Sequence, residues 1–264
     1  MLVVVRGAGD LATGIAVRLH AAGCRVVMCD IARPTTVRRT VAFSEAIRLG
    51  TMEVEGVRAR FAADVDKARA ILAKGEIAVL VDPDAACVSK LSPDALVDAI
   101  LAKRNLGTHI TDAPAVVGVG PGFTAGLDCH AVVETKRGHY LGRVIWEGSA
   151  IPNTGVPGII AGHGADRVLR APAEGRFEPV REIGDVVHAG DVAATVAGIP
   201  MTCTIDGVLR GLLAPGVSVT PGMKAGDIDP RGVVEHCFSV SDKARAVGGG
   251  VLEAVLALTG ALRG

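Results

Sequence analysis

Gly7, Gly9 and Ala12 stand in the spacing G-x-G-x-x-A directly after the apolar run 3–5, and Asp30 ends the next apolar run, 21 residues after Gly9. Small residues at these positions let backbone amides approach a pyrophosphate at the positive end of a helix. A carboxylate about 20 residues further on suits ribose hydroxyls. Asp10 complicates that chemistry by placing a negative charge where the phosphate would sit. The same stretch also reads as a tight βα turn that binds nothing, with Asp10 serving the free amides of the helix. Arg6, at the mouth of the strand, could offset the repulsion. Asp82 and Asp84 follow another apolar run in "VDPDAAC" and could bind ribose hydroxyls, a metal or a substrate, or cap the next helix. The candidate cofactor-binding residues are therefore Arg6, Gly7, Gly9, Asp10, Ala12, Asp30 and Asp82.

Proton transfer has three candidates, His109, Asp128 and His130. If 127–135 is a strand, Asp128, His130 and Glu134 share one face and Cys129 points the other way, toward a core. A polar strand face can equally be solvent-exposed. Arg33, Arg38 and Arg39 in "ARPTTVRRT" could recognise an anion or form a solvated basic loop. The six cysteines are scattered without a CxxC pair, which predicts reduced core thiols and no metal site. No Ser-His-Asp order, P-loop or HExxH motif is present.

The elements that must position these residues alternate strand and helix over 1–125. Helical spacing covers 11–22 and stops at Gly23; further helices are expected at 64–74 and at 93–104, the last opened by Ser92 and Pro93. Strands are expected at 24–30, 77–83 and 115–120. That alternation predicts a Rossmann-like, doubly wound parallel sheet. From 127 to 148 the pattern becomes two antiparallel strands joined at Arg137 and Gly138. Gly175, Gly184 and Gly190 recur 32 residues later as Gly207, Gly216 and Gly222, and Phe177 and Val187 recur as Leu209 and Val219. Two copies predict a small pseudo-symmetric β domain. The chain returns to helix after Ser241, where Gly248 to Gly250 make sense if this segment lies close against another backbone. The expected division is a discontinuous nucleotide-binding domain, 1–165 plus 230–264, with an all-β insertion at 166–229.

The composition sets the outer limits. In 264 residues the hydrophobic fraction is 49%, charged residues are 21% and the formal net charge is zero. This predicts a well-filled globular interior and gives no electrostatic footprint for nucleic acid. No apolar run is long enough to span a membrane, and the start lacks the pattern of a signal peptide, so a cytoplasmic location is expected. A homo-oligomer is compatible with these features.

"VVVRGAGDLATGIAVRLHAAG", "PTTVRRTVAFSEA", "GTHITDAPAVVGVGPGFTAGLDCHAVVETKRGHYLGRVIWEG" and "SDKARAVGGGVLEAVL" together resemble the YqeB-type accessory family of selenium-dependent molybdenum hydroxylases. The resemblance covers nearly the whole chain. It implies an accessory or maturation role, with a molybdenum hydroxylase or its cofactor-maturation machinery as partner. Combined with the glycine fingerprint, it points to a nucleotide-containing ligand, NAD(P) or a molybdopterin dinucleotide. The alternatives are an NAD-dependent oxidoreductase and a non-catalytic scaffold that docks the hydroxylase. Separately, 166–229 resembles the biotinyl/lipoyl-like barrel-sandwich fold. Carriers of that type present a modified Lys beside Met, whereas "GIPMTC" has Met201 and no Lys, so covalent biotin or lipoate is not expected.

Overall fold

A computed structural model describes residues 1–156 and 158–261. The chain divides into two units. One comprises 1–34, 42–154 and 240–264, and the other comprises 35–41 and 155–239.

In the first unit, strands β1 (Leu2–Arg6), β2 (Arg25–Asp30), β3 (Thr51–Val54), β4 (Val57–Ala62), β5 (Ile77–Val81), β6 (Ala95–Asp98) and β7 (Ala115–Val119) are followed by β8 (Thr124–Ala125), β9 (Ala131–Val133), β10 (Val144–Ile145) and β11 (Gly148–Ser149). The helices are α1 (Asp10–Ala21), α2 (Glu45–Leu49), α3 (Val65–Leu72), α4 (Val88–Leu91) and α5 (Asp242–Thr259). Nine strands form one sheet in the order β10-β9-β7-β6-β1-β2-β5-β4-β3, with β8 and β11 paired apart from it. Its seven inner strands are parallel, and both edges are antiparallel pairs, β3 with β4 and β9 with β10.

The central strands are apolar throughout because both faces are covered. Leu2, Val4, Val27, Ala78 and Leu80 pack on one face with Ala68, Ile71 and Leu72 of α3. The other face carries the alternate residues, and α5 lies on it. A methyl group at Gly250 would meet Val133 Cγ1 at 2.9 Å, whereas the neighbouring Val132 belongs to the α3 face. α1 and α5 lie side by side and run parallel, since Gly14 faces Ala244 while Gly248 faces Gly14 and Arg18. Gly248 thus serves a close helix-to-helix approach, and Gly250 a close approach to the Gly142 backbone. Gly249, between two crowded neighbours, has nothing within 4 Å of its added Cβ.

The second unit contains β12 (Val168–Arg170), β13 (Gly175–Pro179), β14 (Val186–Val187), β15 (Val192–Val196), β16 (Ile199–Thr202), β17 (Gly207–Leu212), β18 (Ser218–Val219) and β19 (Lys224–Asp229). They form two four-stranded sheets, β12-β19-β17-β14 and β16-β15-β13-β18. The repeat is visible in the backbone, because β13, β14 and β15 start 32 residues before β17, β18 and β19. Gly175 and Gly207 share φ of +154°. The two sheets enclose a core that includes Phe177, Val187, Leu209 and Val219. Met201 is 3% exposed and belongs to that core.

The expected Rossmann-like doubly wound parallel sheet with a biotinyl/lipoyl-like barrel-sandwich insertion is corrected by this architecture. The first unit is a mixed α/β structure built on one large sheet. A doubly wound sheet needs a helix in each crossover. Among the described residues, the connections from β6 to β7 and from β7 to β9 contain none. The second unit consists of two separate four-stranded antiparallel sheets. The helix expected at 93–104 is also absent. Ser92 takes a left-handed conformation that ends α4, and Asp94 accepts the Leu2 amide at 2.6 Å. The apolar run 95–97 is then buried beside β1 as a strand. No helix among the described residues is long and apolar enough to cross a membrane.

Candidate functional site

The strand register brings four chemistry-bearing segments into one row. Arg6 pairs with Cys29 on β2 and with Asp98 on β6, and Asp30 pairs with Val81, which precedes Asp82. This row follows the carboxyl ends of β5, β2, β1 and β6. The strand order reverses beside β1, and open α/β sheets bind ligands in the crevice beyond such a reversal.

Each glycine of the fingerprint has a structural task. Gly7 has φ of +106°, and a Cβ there would lie 2.8 Å from the Ala99 carbonyl oxygen, so only glycine fits. Its N–H donates to the Cys29 carbonyl at 2.7 Å. Gly9 is the N-cap of α1 without a side-chain cap, and Ala12 is buried in the first turns. Asp30 turns toward the loop, where Oδ2 accepts the Ala8 N–H at 2.8 Å and Oδ1 accepts the Ile31 N–H at 2.8 Å. Burial raises its carboxyl above the usual range, opposed by these two bonds. The position assigned to ribose thus closes the loop, although each oxygen keeps acceptor capacity.

Arg6 does not face a phosphate. It is 5% exposed, and its guanidinium donates to the Pro83 and Leu106 carbonyls, to Thr108 Oγ1 at 3.0 Å and to Asp98 at 3.3 Å. Thr108 passes the bond on to Asp98 at 2.6 Å. Arg6 and Thr108 of this network line a cleft of about 390 Å³ together with Asp84, Gly107 and Asp112. The expectation that Arg6 offsets Asp10 is therefore corrected.

Lys243, in the first turn of α5, is one cation that senses the charge of Asp10. Burial, then Arg137, lowers its ammonium from the usual range, and Asp10, Glu134 and Asp242 act in the opposite sense. Arg137 itself is held by Asp242 at 2.6 Å. Because α1 and α5 run parallel, their amino ends lie together. Sequence reasoning missed Lys243, since nothing in "SDKARAV" distinguishes it from a surface lysine before the helix is docked on α1.

The proton-transfer candidates are not brought together. His109 is exposed, and its backbone N–H donates to Asp112. Asp128 lies in a turn, accepting Thr124 N–H at 2.8 Å and the Asn105 side-chain amide at 3.3 Å. His130 Nδ1 accepts Val116 N–H at 3.0 Å. Glu134 is buried and accepts the Lys136 and Ile151 amides. The expected polar strand face is corrected, because β9 starts only at Ala131 and these side chains fasten loops. Arg38 and Arg39 lie in the second unit, where they donate to the carbonyls of His236, Ser239 and Leu212.

Asp82 fastens the start of α4, its two oxygens accepting the Ala86 and Cys87 amides at 2.9 and 2.8 Å. That turn brings Cys87 Sγ to 3.4 Å from Cys29 Sγ. The bond from Cys87, then burial, holds the Cys29 thiol well above its usual range. The separation of 58 positions between the two cysteines concealed this pairing from any search for short motifs.

No known family profile matches the chain. Among solved structures, an aspartoacylase family protein of Mesorhizobium loti is 11% identical over 86% of this chain and 84% of its own, with a TM-score of 0.27. A succinylglutamate desuccinylase/aspartoacylase of Rhodobacter sphaeroides is 27% identical over 25% of this chain and 22% of its own, with a TM-score of 0.23. Overlaps of this size share too little of the chain path to carry fold or chemistry across. The uncharacterized protein YqeB of Escherichia coli (strain K12) is 52% identical over 257 residues, which is 97% of this chain. The chain spans 48% of that relative, about half its length. The two proteins are thus similar over the region they share.

Proposed function

We propose that the chain is an accessory protein to a selenium-dependent molybdenum hydroxylase, holding a nucleotide-bearing ligand for the enzyme or for the machinery that matures its cofactor. NAD(P) and a molybdopterin dinucleotide are the ligands of this class. The observation that carries the reading is the uncapped amino end of α1 at Gly9, set where the strand order reverses. The parallel helix α5, by contrast, is capped by Ser241, whose hydroxyl accepts the Ala244 amide at 3.2 Å. The positive end of the helix favours an anion there. Lys243 moderates the negative field of Asp10, so a phosphate lying beyond the helix end meets a balanced charge.

The oxidoreductase alternative has less support, because Asp128 and His130 are engaged in fastening loops. A host lacking its own copy of this gene, complemented with the wild type or with Gly9→Glu, tests the reading. The Glu carboxylate at the helix end should abolish hydroxylase activity while the variant protein still accumulates. Full activity with Gly9→Glu would refute the role.

A further inference from the structure

Cys29, Asp82 and Cys87 lie on the α3 face of the sheet, opposite to Asp30 and the glycine loop, and the reading above makes no use of the two thiols. One ligand atom from each of the three lies within 4.8 Å of the other two. We propose that Cys29, Asp82 and Cys87 bind a thiophilic divalent cation of the zinc class.

Three arguments converge on this site. The first is donor chemistry. Two thiolates with a carboxylate suit zinc, which accepts sulfur and oxygen together, and do not suit magnesium or calcium, which take oxygen ligands. The Sγ–Sγ separation of 3.4 Å is short of the spacing for two sulfurs at about 2.3 Å from one tetrahedral ion, and a few tenths of an ångström of side-chain rotation supplies the difference.

The second argument is preorganisation. Asp82 is oriented by the amides of Ala86 and Cys87, and each oxygen retains a lone pair for a metal. These amides act as the outer shell that aims a ligating carboxylate. Because the Cys87 amide holds Asp82, moving either ligand moves the other.

The third argument is access. Cys29 and Cys87 are 1% and 4% exposed, whereas Asp82 is half-buried and Val81 is 42% exposed. The carboxylate therefore forms the entrance, and the thiols form the closed end. Binding releases both thiol protons to solvent as two thiolate–metal bonds form. Three protein ligands leave one coordination position open, as in zinc sites that exchange a ligand.

The test is a titration of the reduced, metal-free protein with Co(II), followed by displacement with Zn(II). We expect one ion per chain and a thiolate-to-cobalt charge-transfer band that Zn(II) removes. Cys29→Ser and Cys87→Ser should lose the band. Asp82→Asn, which keeps an amide acceptor and leaves both thiols in place, should weaken binding by ~10-fold or more, the scale seen for metal-site partners. Cys203→Ser, in the second unit, should bind as the wild type. Circular dichroism on each variant separates lost ligands from lost fold, and Asp82→Asn carries the test if a cysteine variant does not fold. Absence of the band in the wild type, or its persistence in both folded cysteine variants, overturns the proposal. So does a Cys29–Cys87 disulfide formed in air by a protein that takes up no metal once reduced.

Discussion

The carboxylate of Asp30 accepts the backbone N–H of Ala8 at 2.8 Å, so the end of β2 and the glycine turn after β1 are fastened to each other. A ligand at the amino end of α1 therefore meets a loop whose shape is already set. It also meets a carboxyl raised above its usual range, first by burial.

The pH dependence follows from that direction. For a raised carboxyl, the folded state takes up a proton more readily than the unfolded chain. The stability contributed by Asp30 is full below the unfolded value of about 3.9 and is lost as pH rises through the higher folded value. Asp30→Asn removes this dependence. Urea midpoints measured from about pH 7 down to about pH 4 should show the wild type gaining stability relative to the variant. A constant difference across that window would contradict the assignment.

The triple glycine of α5 gives two predictions of opposite sign. Gly249 has open space around its added Cβ, so Gly249→Ala should stabilise by about 0.5–1 kcal/mol through helix propensity. A Cβ at Gly250 would collide with the Gly142 carbonyl, so Gly250→Ala should destabilise despite the same gain in propensity. Thermal or urea unfolding of the two variants decides it. Equal shifts would mean that α5 does not pack as described.

Arg6, which lines the cleft, and its partner Asp98 are both buried, 5% and 2% exposed. Asp98→Ala leaves the guanidinium only the exposed Asp84 carboxylate, at 3.5 Å, and should cost about 3–5 kcal/mol in urea unfolding through loss of the buried partner. A loss below about 1 kcal/mol, the scale of an exposed pair, would show that the network is solvated.

Local patterning made part of this legible. The runs 3–5, 77–80 and 115–119 are buried in strands because nothing in them tolerates water, and Gly23 follows the end of α1 in a left-handed conformation. The run 95–97 was misread because an apolar stretch after Ser-Pro-Asp carries a helix start, and only burial beside β1 makes it a strand. The candidate site was legible as a loop and obscure as a charge distribution. Arg6 and Asp98 meet across 92 residues, and Lys243 reaches Asp10 only because α5 docks on α1. Cys29 and Cys87 meet through a turn fixed by Asp82. Such pairings are set by tertiary packing, which spacing along a chain does not encode.

The central claim is an anionic, nucleotide-bearing ligand at the amino end of α1. Isothermal titration of the purified protein with NAD+, NADP+ and a molybdopterin dinucleotide, repeated on Lys243→Met, tests it most directly. The account predicts saturable binding of at least one of the three, weakened about tenfold or more in the variant by loss of a charge-assisted interaction. Absence of binding by all three, or binding that Lys243→Met leaves unchanged, would contradict it.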